Sequence, residues 1–346
     1  MCDQIRNSCL INSTFRCDYV NLSTSIKMNE IGRWRVAKLF RFISSFLRTL
    51  YLLVVKRYKL CYVALTCHGP GFIKDSVFAL LCKFFGNKLV IHQHNKGMSE
   101  DIGRWPYRWL VPLVYRKATV VLLSWKLYPD VSCVAAKDQI VICPNGIPDP
   151  LSVAGIHRNG GQVPRILFLS NLLAEKGVWL LLEACRILKD QNCSFICDIV
   201  GNETVDISAD QLKDAVASMD LRDVVLYHGA QYGEDKVRFL SNSDVFVFPT
   251  RYKNEAFPLV LLEALQHSLP VVCSDVGGIS DIVKDGDNGF LCSSDSAMDL
   301  ATKLRILLDD SLLRIKMGQR GHELYRSNFT LDVWESNLMR ILTEDN

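Results

Sequence analysis

Short apolar runs alternate with helical stretches along most of the 346 residues, and this alternation leaves few architectures open. Residues 60–67 read as a strand, 75–85 as a helix and 88–92 as a strand, with further short strands at 118–124 and 139–143. A second set follows at 165–169, 194–200, 224–228, 244–248 and 270–274, again with helices between. Parallel neighbours need a long crossover, usually a helix, so the pattern predicts α/β architecture with doubly wound parallel sheets.

The length exceeds one ordinary domain, and a hydrophobic content of 49% supplies two cores. The segment 150–164, PLSVAGIHRNGGQVP, holds three Gly and two Pro and reads as the linker. The expected division is therefore 1–149 and 150–330, with a C-terminal helix at about 331–346 packing back on the first domain.

Charge divides in the same place. Residues 1–150 carry 21 Lys and Arg against nine Asp and Glu, a balance of +12, and the remainder carries 19 against 28, a balance of −9. Such asymmetry points to different partners for the two halves. Residues 31–60 hold eight basic residues and no acid, interleaved with Trp34, Leu39, Phe40, Phe42, Phe46, Leu50 and Leu53. Two readings stand: a basic amphipathic helix docking on an anionic membrane surface, or a helix packed on a sheet with its charges solvated. No nucleic-acid partner is expected. The start, MCDQIRNSCL, lacks a signal-peptide apolar core, and the run 46–55 is too short and too charged to span a bilayer. The thirteen cysteines are scattered without a C-x-x-C pair, which fits unpaired thiols in a reducing cytoplasm.

Open sheets of this kind bind ligands at the carboxyl ends of their strands, so the loops there matter most. After the fourth strand of the second set comes EAFPLVLLE, Glu255 to Glu263. Pro258 suits the first turn of a helix, which leaves Glu255 in the loop and Glu263 in the helix. Two carboxylates so placed can accept hydrogen bonds from vicinal hydroxyls, and free amides near Phe257 and Leu259 suit a phosphate or sugar oxygen. The plainer reading makes both acids solvated helix residues. After 165–169, Lys176-Gly177 opens a helix, where a lysine can reach a diphosphate or simply face solvent. Gly277-Gly278 permits close backbone approach, and DGDNGF, 285–290, reads as a hairpin-like turn. PNGIPD, 144–149, is expected to end the first domain at the hinge. In the first half His92 and His94 share one face of a strand end; two histidines alone make a poor zinc site, and the readings left are one histidine facing the cleft or histidines that only pack or meet solvent.

Taken together these stretches resemble glycosyltransferase family 4, from about Asn21 to Phe329 and most tightly from Pro144 to Leu291. The resemblance implies the GT-B fold, two Rossmann-like domains facing a cleft, and a retaining hexosyltransferase without cofactor or bound metal. The donor would be a nucleotide-diphosphate sugar, UDP-sugar by default. The acceptor would be a glycan or lipid-linked glycan of surface polysaccharide, O-antigen or capsule synthesis, on the cytoplasmic side of the membrane. Glu255, Lys176 and His94 would take the catalytic places. Glu263 would hold the ribose, and Asn171, Phe257, Pro258, Leu259 and Gly201 would complete the donor site. Family members often carry Gly-Arg where Ser170-Asn171 stand here, and Arg251 or Lys253, in the loop before Glu255, is the expected substitute for that arginine. They also usually begin with a hydrophobic strand and a Gly-rich loop, neither of which is legible in residues 1–23. That departure motivates an alternative: a truncated, non-catalytic GT-B protein that binds donor or serves as a scaffold.

Overall fold

The computed structural model describes residues 2–23, 36–149 and 163–344; the linker expected at 150–164 lies outside them apart from Val163 and Pro164. Contacts divide the chain into one unit of Met1–Cys143 with Glu335–Asn346 and another of Pro144–Trp334.

The first unit begins with two short helices, α1 (Cys2–Asn7) and α2 (Cys9–Thr14), the second capped by the Ser8 hydroxyl, which accepts from the Ile11 amide. It continues through α3 (Val36–Val55), β1 (Leu60–Leu65), α4 (Gly69–Phe84), β2 (Lys88–Gln93), α5 (Met98–Asp101), α6 (Tyr107–Tyr115), β3 (Thr119–Leu122), α7 (Tyr128–Val131) and β4 (Ile140–Ile142). The four strands lie parallel in chain order, β1-β2-β3-β4, and no described strand precedes β1. β2 is buried at every position but the first, as a strand covered on both faces must be. Right-handed crossovers between strands laid down in one direction put α4 and α6 on the same face of the sheet. α3 lies beside α4, with Phe42 and Phe46 against Phe78 at ring separations of 5.5 and 6.5 Å.

The second unit runs β5 (Arg165–Leu169), α8 (Val178–Asp190), β6 (Ile196–Val200), α9 (Ala209–Ser218), β7 (Val225–Tyr227), α10 (Gly233–Asn242), β8 (Val245–Phe248), α11 (Leu259–Gln266), β9 (Val271–Ser274), α12 (Ile279–Ile282), β10 (Gly289–Cys292), α13 (Ala297–Asp309) and α14 (Ser311–Asn328). The final helix α15 (Leu331–Glu344) starts here, and its residues from Glu335 cluster with the first unit. The parallel order is β10-β9-β8-β5-β6-β7, so the chain lays strands on one side of β5 and then returns to lay them on the other. Phe168 of β5 stands opposite both Ile199 of β6 and Val247 of β8. Apolar residues from strands, α8, α9 and α13 fill the core around it.

Two expectations change. The turn at 285–290 is present, closed by the Gly286 amide on the Gly289 carbonyl at 2.8 Å and by the Asn288 side chain, but it is not a hairpin. The residues after it, 289–292, continue as a sixth strand parallel to β9, and Gly289 allows the approach because a Cβ there would lie 2.1 Å from the Val271 carbonyl oxygen. The boundary between units falls at Cys143–Pro144 rather than after Asp149. Tyr325 donates to Asp149, Gln266 donates to the Pro148 carbonyl, and the Ile147 amide donates to Phe329, so α11 and α14 clasp this segment into the second unit.

Among the described residues no helix is long and apolar enough to cross a membrane. Twelve cysteines, from Cys9 to Cys292, are free thiols, with Cys197 buried and Cys193 half-buried.

Candidate active site in the second unit

In a parallel sheet, two neighbouring strands whose connections leave in opposite directions open a crevice at their carboxyl ends. Here those strands are β5 and β8. The loop after β5 makes a tight 3₁₀ turn over Ala174–Lys176 and enters α8 through Gly177, which is left-handed at φ 86°. A Cβ on Gly177 would stand 2.0 Å from the Pro249 carbonyl oxygen, so the loops after β5 and β8 meet backbone to backbone. The Arg251 amide donates to the Glu175 carbonyl at 2.8 Å and fixes their register.

This contact brings Lys176 against Glu255, with Nζ 2.5 Å from Oε2. The ammonium also sits 4.8 Å from the centroid of Tyr252 and 5.3 Å from that of Phe248, within cation–π reach of both. The two charged side chains are only 15% and 11% exposed, which strengthens their attraction and makes either one costly to leave alone. The loop after β9 supports the pair from a third side. A Cβ on Gly277 would meet the Glu255 carbonyl oxygen at 2.1 Å, and the Gly278 amide donates to the Ala256 carbonyl.

Pro258 does not sit in the first turn of α11; it is the N-cap, extended at ψ 120°. The helix therefore starts at Leu259, and its first amides, at Leu259 and Val260, have no intrahelical acceptor. The Leu259 side chain is exposed, while Phe257 is buried against Phe329 at 5.8 Å. One turn into α11, Glu263 accepts from Lys236 of α10 through Oε1 at 2.7 Å. Its Oε2 is buried with no hydrogen-bond partner among the described residues. A carboxylate oxygen held this way is a strong acceptor lacking a donor. Below it the His267 ring nitrogen Nδ1 lies 2.8 Å from the Glu263 carbonyl, and burial pushes the imidazole below its usual pKa.

The other expected residues divide. Asn171 is exposed just beyond β5. Gly201, after β6, has a packing role: a Cβ there would lie 1.7 Å from the Ser170 carbonyl oxygen. The Arg251 guanidinium lies 4.0 Å from Asp295 and lines a pocket of about 280 Å³ with Gly177, Trp179 and Glu183. In the first unit, His94 follows the end of β2, half-buried, its ring 4.1 Å from that of His92. His92 is fully buried, its Nδ1 2.5 Å from the Tyr62 hydroxyl, and burial holds it well below the usual histidine pKa. Among the described residues no three His, Cys, Asp or Glu gather in a metal-binding arrangement. Lys236, Tyr252 and Phe248 went unnoticed in the sequence. Each belongs to an ordinary helix, loop or strand, and only the strand order brings them to the acids.

Residues 155–324 match the family model described as Glycosyl transferases group 1. The amylovoran biosynthesis glycosyltransferase AmsK of Erwinia amylovora is 35% identical over 162 residues, 46% of this chain and 37% of the relative. The capsular polysaccharide biosynthesis glycosyltransferase CapM of Staphylococcus aureus is 25% identical over 169 residues, 49% of this chain and 43% of the relative. The chain thus aligns with less than half the length of either. A crystal structure of Anabaena Alr3699/HepE in complex with UDP superposes with a TM-score of 0.73 over 86% of this chain and 81% of that one, at 19% identity. Two parallel-sheet α/β units of four and six strands with this likeness are consistent with the GT-B fold. The matches in the second unit support a transferase.

Proposed function

We propose that the chain transfers a hexose-type sugar from a nucleotide-diphosphate sugar to a glycan or lipid-linked acceptor, with retention of anomeric configuration and without a bound metal. The observation that carries this is the Lys176–Glu255 pair at the β5/β8 reversal, with the unpartnered Oε2 of Glu263 one helical stretch away. Vicinal ribose hydroxyls are the donors that Oε2 lacks, and the Leu259 and Val260 amides suit a phosphate or sugar oxygen. A diphosphate arriving beside Lys176 competes with Glu255 for the ammonium. Lys176 then neutralises the charge that grows on the leaving phosphate, an electrostatic role best served by a group already fixed in place. Glu255, released from the cation, accepts hydroxyls of the transferred sugar. The bond from the anomeric carbon to the diphosphate oxygen breaks as the acceptor oxygen bonds on the same face, and the acceptor proton passes to the leaving phosphate.

UDP is the default nucleotide, in line with the UDP complex of the Anabaena protein. Surface polysaccharide, O-antigen or capsule synthesis is the assigned setting, in line with the CapM relative. A lipid-linked acceptor would bring the chain to the cytoplasmic face of an anionic membrane through segment 31–60.

The test is a thermal-shift panel with UDP, GDP, ADP and CMP on the full chain and on Glu263→Ala. A ligand that binds only the folded state stabilises by about 2.7 kcal/mol at one hundred times Kd. One nucleotide should raise the midpoint, and Glu263→Ala should abolish the rise. No shift with any of the four would sink the donor-site reading. A shift without sugar transfer would leave the donor-binding, non-catalytic alternative.

A further inference from the structure

Glu263 can serve a sugar hydroxyl only if one of its oxygens stays free and stays aimed, and a carboxylate on a helix does neither unaided. Its last torsion joins a tetrahedral carbon to a planar one, and such torsions are broad, without a sharp preferred angle. Here Lys236 of α10 supplies the constraint. Its ammonium donates to Oε1 at 2.7 Å, with the two side chains 31% and 20% exposed. A charge-assisted bond to one oxygen fixes the direction of the other, and Oε2 is the oxygen left buried with no hydrogen-bond partner among the described residues.

The lysine is itself held in place. Lys236 and Phe239 stand three residues apart and so share one face of α10. The Phe239 ring packs on that of His228, just beyond β7, at 4.6 Å. His228 Nε2 lies 2.7 Å from Oδ1 of Asp198, a fully buried residue of β6. Arg165, at the start of β5, donates to both oxygens of the same carboxylate at 2.8 and 2.9 Å. At the far end of the helix the Ser243 hydroxyl donates to the Phe239 carbonyl at 2.7 Å. Among the described residues of α10 only Leu240 is buried, so these ties, rather than a broad apolar face, place the helix.

A buried acceptor already aimed gains from a hydroxyl and loses when that hydroxyl is missing, because the oxygen then stays unpaired. A carboxylate free to turn would escape that loss by swinging away, and would have to be ordered afresh each time a nucleotide bound. We propose that Lys236 is a positioning residue that sets sugar specificity: by holding Oε1 of Glu263 it aims Oε2 at a ribose hydroxyl and makes the site reject deoxyribonucleotides, a role that rests on Glu263 being the ribose acceptor proposed above. If Lys236 only tied α10 to α11, its loss would weaken ribose and deoxyribose forms alike.

The test is calorimetric titration of the full chain with UDP, GDP, ADP and CMP, each beside its 2′- and 3′-deoxy forms, on wild type, Lys236→Met and Lys236→Arg. For the nucleotide that binds, Lys236→Met should weaken the ribose form about tenfold and the deoxy form by less than about threefold, so that the preference for ribose shrinks. Lys236→Arg keeps a cationic donor for Oε1 and should restore most of the preference. Thermal melts without ligand report whether each variant folds. Should Lys236→Met not fold, Lys236→Gln, polar but too short to reach Oε1, is expected to show the same shrunken preference. Equal weakening of both forms, or unchanged binding of both, overturns the proposal. Wild type that binds no nucleotide, or binds ribose and deoxyribose forms alike, fails the reading of Glu263 itself and the proposal with it, and that failure shows before any variant is made.

Discussion

Both units are parallel sheets with helical crossovers, yet β1-β2-β3-β4 runs in chain order while β10-β9-β8-β5-β6-β7 turns back at β5. The reversal sends the connections after β5 and β8 apart and leaves room between them, and there Lys176, Glu255, Tyr252 and Phe248 gather. The loops are secured differently as well. In the second unit Gly177, Gly201 and Gly277 press backbone on backbone, so that an added Cβ would overlap a carbonyl oxygen. In the first unit carboxylates do the holding: Asp130 accepts from the Gly97, Met98 and Ser99 amides, and Asp101 from the Gly69 amide. Close backbone contact leaves less freedom than a side-chain bond, and a site that must present fixed charges benefits from the stiffer device.

The largest expected effect tests whether the buried pair is the centre of that stiffness. Lys176→Met should lower sugar transfer by about 10²-fold or more and stability by about 3 kcal/mol, because Glu255 is left buried and uncompensated. Lys176→Met with Glu255→Gln should recover much of the stability and none of the activity, as read by urea melts and initial rates. Equal stability of the single and double variants would mean the pair does not anchor the loops.

A glycine comparison follows. Gly177→Ala should cost about 3 kcal/mol, from the clash with Pro249 and the left-handed φ together. Gly86 of the first unit is also left-handed, at φ 76°, but nothing lies within 4 Å of an added Cβ, so Gly86→Ala should cost about 1 kcal/mol. Similar losses in thermal melts would erase the contrast between the units.

The smallest effect concerns pH. His92 in the first unit and His267 in the second both have pKa values lowered from 6.5 by burial. Above that value neither state binds the proton and neither histidine contributes. Below it the unfolded chain takes up protons that the folded chain refuses, so stability falls by up to about 1.4 kcal/mol per pH unit for each histidine until its folded pKa is reached. The lower-lying His92 should extend this loss further into acid, and His92→Gln should flatten the acid side of the stability curve more than His267→Gln does. Equal curves would place the acid sensitivity elsewhere.

Much of the fold was legible because its signals are local. β5 occupies the expected residues 165–169, an apolar run bounded by Pro164 and Ser170. Helix α4 begins at Gly69, six residues ahead of the expected 75, because Gly69-Pro70-Gly71 reads as a turn until the Asp101 carboxylate, far along the chain, satisfies the first amide. β10 was hidden behind its turn, since a turn shows that the chain reverses locally and not which strand it will join. Glu255, Glu263 and Lys176 stood out by residue type and spacing. Lys236 could not, because its partner is 27 residues away on another helix.

By itself the sequence determined the element types, the two-unit plan and the opposite charges of the halves, all of which follow from periodicity, Gly and Pro punctuation, and composition. Only the tertiary structure decided which loops meet, because that depends on strand order and not on any one segment. It likewise decided that α3 packs Phe42 on Phe78 of α4 and leaves Phe40, Leu47 and Tyr51 exposed, because which apolar side chains of a helix are covered depends on the neighbour beside it.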